Sequence, residues 1–63
     1  MTKKEASEAG YDICIYYDHE DNGWKWDVNG GYSSVGGRNA HTNILVAQKE
    51  LNDFLKTFKG FEK

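Results

Sequence analysis

The stretch Tyr11-Asp12-Ile13-Cys14-Ile15-Tyr16-Tyr17-Asp18-His19-Glu20-Asp21-Asn22-Gly23-Trp24-Lys25-Trp26-Asp27-Val28-Asn29 decides the fold. It reads as one β-hairpin. The first arm is rich in β-branched and aromatic residues, with Tyr11, Ile13, Ile15 and Tyr17 on one face. Asp12, Cys14, Tyr16 and Asp18 occupy the other. The second arm alternates in the same way, setting Trp24, Trp26 and Val28 against Lys25, Asp27 and Asn29. Between the arms, Asn22-Gly23 suits the positive φ angles of a tight turn.

The register of the hairpin has two readings. A two-residue turn at Asn22-Gly23 pairs Tyr17 with Val28 and His19 with Trp26. A four-residue loop pairs Tyr17 with Trp26 and Ile15 with Val28. Strand side chains repeat every second residue, so both registers place Trp24 and Trp26 on the face of Ile13 and Ile15. That face is expected to line the core.

Outward from the hairpin, Gly30-Gly31 leads into Tyr32-Ser33-Ser34-Val35, which reads as a short third strand at an edge of the sheet. Gly36-Gly37 ends it. A helix follows, with Asn39 as its expected N-cap and Thr42 as a later alternative. Ile44, Ala47, Leu51, Phe54, Leu55 and Phe58 recur at spacings of three and four and form its apolar stripe, which Leu45 widens. Lys56 and Lys59 complement the C-terminal end of the helix dipole, and Gly60 suits a left-handed cap. These pieces predict an α+β domain over residues 11–60: a three-stranded antiparallel sheet packed on one C-terminal helix, β-β-β-α in two layers. Met1 to Gly10 has no apolar stripe and is expected to be a disordered leader, although Thr2 and Glu5 stand in capping-box spacing. Residues 61–63 are expected to fray, with Phe61 within reach of the last helical turn.

At 63 residues the chain is one small domain, near the lower limit at which a single core suffices. Its single Cys excludes an intrachain disulfide. A free thiol at Cys14 fits a reducing cytoplasm and reads as a partly buried structural residue. The apolar runs are too short to span a bilayer, and Met1 to Gly10 lacks the apolar core of a signal peptide. The net charge of −2 weighs against an electrostatic grip on nucleic acid. Residues 11–29 carry net −4 and residues 38–63 net +2, so an acidic hairpin stands against a mildly basic helix.

Few groupings suggest chemistry. Asp18-His19-Glu20-Asp21 is dense in ligand types, but consecutive strand residues point to alternate faces, so it reads as a solvated turn and not a metal site. Ser33 or Ser34 with His41 lacks an orienting acid and an oxyanion site, so no catalytic residue and no cofactor is expected. Gly36-Gly37-Arg38 ahead of a helix resembles an anion cradle without the Lys-Ser/Thr ending of a P-loop. Tyr16, Asp18, Asp27 and Tyr32 are the expected partner contacts, because Tyr recurs at interface hot spots and the acids select a basic partner.

The run Tyr11-Asp12-Ile13-Cys14-Ile15, an Asp21-Asn22-Gly23 turn, Trp24 to Val28, a glycine-rich third segment and a helix together resemble HicB-type antitoxin domains in the order of their elements. The resemblance covers Tyr11 to about Phe58. The sequence departs from that family at Asn29-Gly30-Gly31-Tyr32, where a Pro-Gly-Cys-like step is usual, and at the Arg38-Asn39-Ala40-His41 start of the helix. It implies a small cytoplasmic protein, bacterial or phage-like, that works by gripping another macromolecule. The expected function is therefore a non-enzymatic binding protein acting on a protein partner. The third strand would extend a partner's sheet or pair with its own copy. The alternative is a nucleic-acid accessory protein that uses Gly36, Gly37, Arg38 and the basic side of the helix.

Overall fold

Side chains of one strand and one helix meet in a small core of Trp26, Val28, Leu51 and Leu55. The computed structural model describes residues 1–37 and 39–61. Its elements are α1 (Lys3–Glu8), β1 (Asp12–Asp18), β2 (Gly23–Asn29), β3 (Ser34–Gly36) and α2 (Ile44–Thr57). The strands form one antiparallel sheet in the order β1-β2-β3, with α2 against one face, which is the α+β arrangement expected. Among the described residues no helix is long and apolar enough to cross a membrane.

The expected face is the buried one. Val28 and Leu51 are fully buried, Trp26 and Leu55 nearly so, and Ile13, Ile15, Val35, Phe54 and Phe58 pack around them. Each such side chain removed from water contributes roughly 1.5–3 kcal/mol, which makes this handful the main driving force of a very small domain. On α2, Ala47, Leu51 and Leu55 carry the buried stripe. Leu45 does not widen it: the residue is 65% exposed. Cys14 is likewise exposed and not partly buried, because it lies on the β1 face that is turned away from the core.

The register differs from both sequence readings. Tyr17 pairs with Trp24, Ile15 with Trp26 and Ile13 with Val28, leaving His19 to Asn22 as the loop. Parity survives the shift, so the core face does too. The loop is set by Asp18, whose Oδ1 accepts from the backbone N–H of Glu20 at 2.9 Å and of Asp21 at 3.3 Å. Asn22 alone takes the positive φ, at 53°. Gly23 is needed for a different reason: a Cβ there would lie 2.7 Å from Ala40 Cβ and 2.9 Å from the His41 nitrogen.

That crowding follows from a bridge. Trp24 and His41 exchange backbone hydrogen bonds of 2.6 and 2.9 Å, tying the segment before α2 to β2. The backbone groups of Trp24 therefore point away from β1. The Trp26 carbonyl, which accepts from Gly37 N–H at 3.0 Å, points the same way. In an antiparallel ladder the residues opposite such positions face outward as well. Ile13, Ile15 and Tyr17 thus turn their N–H and C=O groups to the free edge of β1, whereas Cys14 and Tyr16 bond to β2.

The ends of the chain correct the sequence reading at several points. Residues 3–8 form α1 where a disordered leader was expected. Thr2 Oγ1 accepts from Glu5 N–H at 3.1 Å, and Glu5 Oε1 accepts from Thr2 N–H at 2.9 Å, closing the capping box. Tyr11 N–H donates to the Ala6 carbonyl at 2.9 Å, fastening α1 to the start of β1. The Met1 ammonium donates to the carbonyls of Leu55 and Phe58, placing positive charge at the C-terminal end of α2. The N-cap of α2 is Asn43, whose side chain accepts from Leu45 N–H at 2.9 Å, in place of Asn39 or Thr42. The helix ends on an extended Phe58, and the left-handed Gly60 comes two residues later. Phe61 does not fray. Its ring packs on Tyr11 and Phe58 at centroid distances of 5.2 and 5.1 Å, and its N–H donates to the Tyr11 hydroxyl at 3.2 Å. The rest of the expected fraying tail, residues 62 and 63, lies outside the described residues.

Two outcomes are expected. In native-state hydrogen exchange, the amides of Ile13, Ile15 and Tyr17 exchange faster than those of Cys14 and Tyr16, alternating along one strand; uniform protection would contradict the register. Gly23→Ala destabilises the fold by about 1–3 kcal/mol in urea unfolding, because its methyl group must displace the Ala40–His41 backbone.

Candidate functional site

The two faces of the hairpin differ in what they can offer. The core face is spent on α2. The other carries Asp12, Cys14 and Tyr16, all exposed, from β1, and Lys25 and Asp27, both half-buried, from β2. Cys14 stands opposite Asp27, and Tyr16 opposite Lys25. This open face lies on the hairpin segment of net charge −4.

Its acids are not equivalent. Asp18 is committed to the turn: besides the loop N–H groups, its Oδ2 lies 3.1 Å from Lys25 Nζ. Lys25 also bonds to Asp21. The Lys25 ammonium, with the loop N–H groups, holds the Asp18 carboxyl below the usual carboxylate range. Asp21 first and Asp18 second push the Lys25 ammonium up. These exposed pairs are screened by solvent and add little stability. They engage Asp18 and Asp21 locally, which leaves Asp12 and Asp27 as the acids beside Tyr16. Asp27 is positioned by β3: its carboxylate lies over Gly36, where a Cβ would collide with Asp27 Oδ1. Tyr32 is fully exposed in the connection between β2 and β3, outside the register that brings Tyr16 and Asp27 onto one face. Of the four expected contacts, Tyr16 and Asp27 share a surface, Asp18 is engaged within it, and Tyr32 stands apart.

Carboxylates lie close to both Gly36 and Gly37 at the end of β3, the junction expected as an anion cradle. Gly36 sits beneath the Asp27 carboxylate, and a Cβ on Gly37 would lie 2.8 Å from Glu50 Oε1 and 2.6 Å from Trp26 Nε1. Two carboxylates flank the two glycines, and their field opposes a phosphate. Arg38, the third residue of that expected site, lies outside the described residues.

Beside the junction is a linkage that the sequence reading missed. Trp26 Nε1–H donates to Glu50 Oε1 at 2.8 Å, while His41 Nε2 stands 2.9 Å from Glu50 Oε2. One carboxylate thus joins β2, the segment before α2, and α2 itself. The indole N–H, and secondarily His41, hold the Glu50 carboxyl below the usual range despite some opposing desolvation. A cleft of about 500 Å³ opens alongside, lined by Trp26, Val35, Gly37, Glu50, Asp53 and Phe54. A sequence signal for this linkage existed: a buried Trp needs an acceptor for its N–H. No spacing rule, however, picks Glu50 out from the other acids. His41 Nε2 and backbone are both engaged in these ties, so the histidine acts as a strut between strand and helix.

Glu50→Ala is expected to destabilise the fold by about 1–3 kcal/mol, because it leaves the indole N–H of a buried Trp without an acceptor. The pH dependence has a definite sign. A carboxyl whose folded-state value is depressed below its ordinary 4.5 contributes stability above that value, and this is lost as pH falls through the depressed folded value. Urea midpoints measured from pH 7 down to pH 3 should therefore fall less steeply for Glu50→Ala than for the parent chain. No protein-family model, curated protein or solved structure matches this chain.

Proposed function

We propose that this protein is a non-enzymatic binding protein of the cytoplasm that engages a protein partner through the open face of β1 and β2. The observation that carries the reading is the uncovered sheet face, where exposed Tyr16 lies among Asp12, Asp27 and Cys14. A sheet face left uncovered in so small a domain withholds area from an already limited core, and a partner that covers it compensates. Tyr16 supplies a broad amphipathic contact at low entropic cost, and the acids favour a partner of basic character. The resemblance to HicB-type antitoxin domains read from the sequence supports a role in gripping another macromolecule. The carboxylates at Gly36 and Gly37 weigh against the nucleic-acid alternative.

The test is a tagged pull-down from lysate, run with and without nuclease, comparing the parent chain with Tyr16→Ala and Asp12→Lys. A stoichiometric protein should survive nuclease, and each substitution should reduce its recovery at least tenfold, which corresponds to about 1.4 kcal/mol. Circular dichroism should show both variants folded. Material that vanishes with nuclease would sink this reading in favour of the Gly36-Gly37-Arg38 alternative.

A further inference from the structure

The free edge of β1 carries an unfilled hydrogen-bonding pattern. At its start, Tyr11 N–H is taken by the Ala6 carbonyl of α1. Beyond that point Ile13, Ile15 and Tyr17 face outward, and among the described residues nothing bonds to their backbone groups. An edge with six open donors and acceptors is a template for a further strand.

The surroundings of that edge state what the strand should carry. On the core side, a groove of about 500 Å³ runs between α1 and the sheet, with Ile13, Ile15 and Leu51 as its apolar floor and Lys3 and Ser7 on the α1 wall. On the other side lies the open face with Asp12, Cys14, Tyr16 and, one strand further in, Asp27. Residues paired with Ile13, Ile15 and Tyr17 would place their side chains on the groove side, and the residues between them would lie beside the acids. Apolar and basic side chains must therefore alternate. A second copy of this chain fits poorly. The antiparallel register that uses all of Ile13 to Tyr17 sets each Asp12 against an Asp18 whose Lys25 is shared with Asp21, so a net negative turn faces an acid at both ends.

We infer that the partner adds an extended segment of alternating apolar and basic residues to the Ile13–Tyr17 edge of β1, seating the apolar set on Ile13, Ile15 and Leu51. This rests on the protein-partner reading above and specifies its mode: strand addition along an edge, with the acidic face selecting the basic set.

The probe is a blocked Val-Lys-Val-Lys-Val-Lys-Val peptide at millimolar concentration, followed by NMR on the full chain. Two control peptides carry Glu in place of Lys, or N-methylated valines that cannot donate to the edge. The Val-Lys peptide should slow exchange of the Ile13, Ile15 and Tyr17 amides by about tenfold or more, and both controls should fail to do so. Asp12→Lys should weaken the Val-Lys peptide and strengthen the Glu one. Equal protection by the N-methylated peptide would overturn strand addition. Shifts of the Tyr16 ring with edge amides still exchanging freely would also overturn it, while leaving the face itself as the contact. Neither response would remove both readings. Protection that rises with protein concentration and no peptide would assign the edge to a second copy and overturn the inference.

Discussion

Strand β2 is committed on two sides at once, and the other elements arrange themselves around that. Trp24, Trp26 and Val28 send their side chains to the helix-facing layer, while their backbone groups turn towards β3 and His41. Because one set of residues does both, β1 is left to pair with the alternate set, and its own Ile13, Ile15 and Tyr17 must face an open edge. The same commitment draws the Ala40–His41 backbone onto β2, which is why a side chain at Gly23 has nowhere to go.

The core so formed is thin, and polar or aromatic ties at its rim make up part of the deficit. Glu50 links Trp26 and His41 across three segments, in a partly exposed position where a hydrogen-bonded carboxylate keeps its charge without a heavy desolvation penalty. At the other end, Trp26, Phe54, Phe58, Phe61 and Tyr11 stack in succession at centroid distances of 4.9 to 6.1 Å. Each aromatic pair adds about 0.5–1.5 kcal/mol beyond its buried area. These contacts recruit Tyr11 and Phe61, residues at the margins of the domain, into the packing. The acidic open face remains outside this arrangement, with Asp18 turned to Lys25 and Asp12 and Asp27 beside Tyr16.

Much of the fold was legible because strand and helix periodicities are local. Alternation at Ile13, Ile15, Trp24, Trp26 and Val28 named the buried face whatever the register, since a shift by two residues keeps parity. The stripe from Ala47 to Leu55 named α2 and its inner side. Less legible were the features that depend on which local option wins. Asp18, Asn22 and Gly23 each had a turn role available, and the loop was decided by the Asp18 carboxylate binding two N–H groups. Asn43 displaced Asn39 as the N-cap because both backbone groups of His41 are engaged by Trp24, so the helix starts only after that bridge. In the candidate surface, Tyr16 and Asp27 were legible from strand parity. Asp18 carried the same parity, but its engagement by Lys25 spans the turn and was not visible from spacing.

By itself, then, the sequence determined the class of fold, the face each strand buries and the acidic character of the hairpin, because these follow from side-chain order along the chain. Only the tertiary structure decided the register, the docking of α1 and Phe61, the Glu50 linkage and the open edge of β1. Each of these depends on groups distant in sequence meeting in space, where a backbone N–H or a carboxylate takes the partner that packing brings within reach.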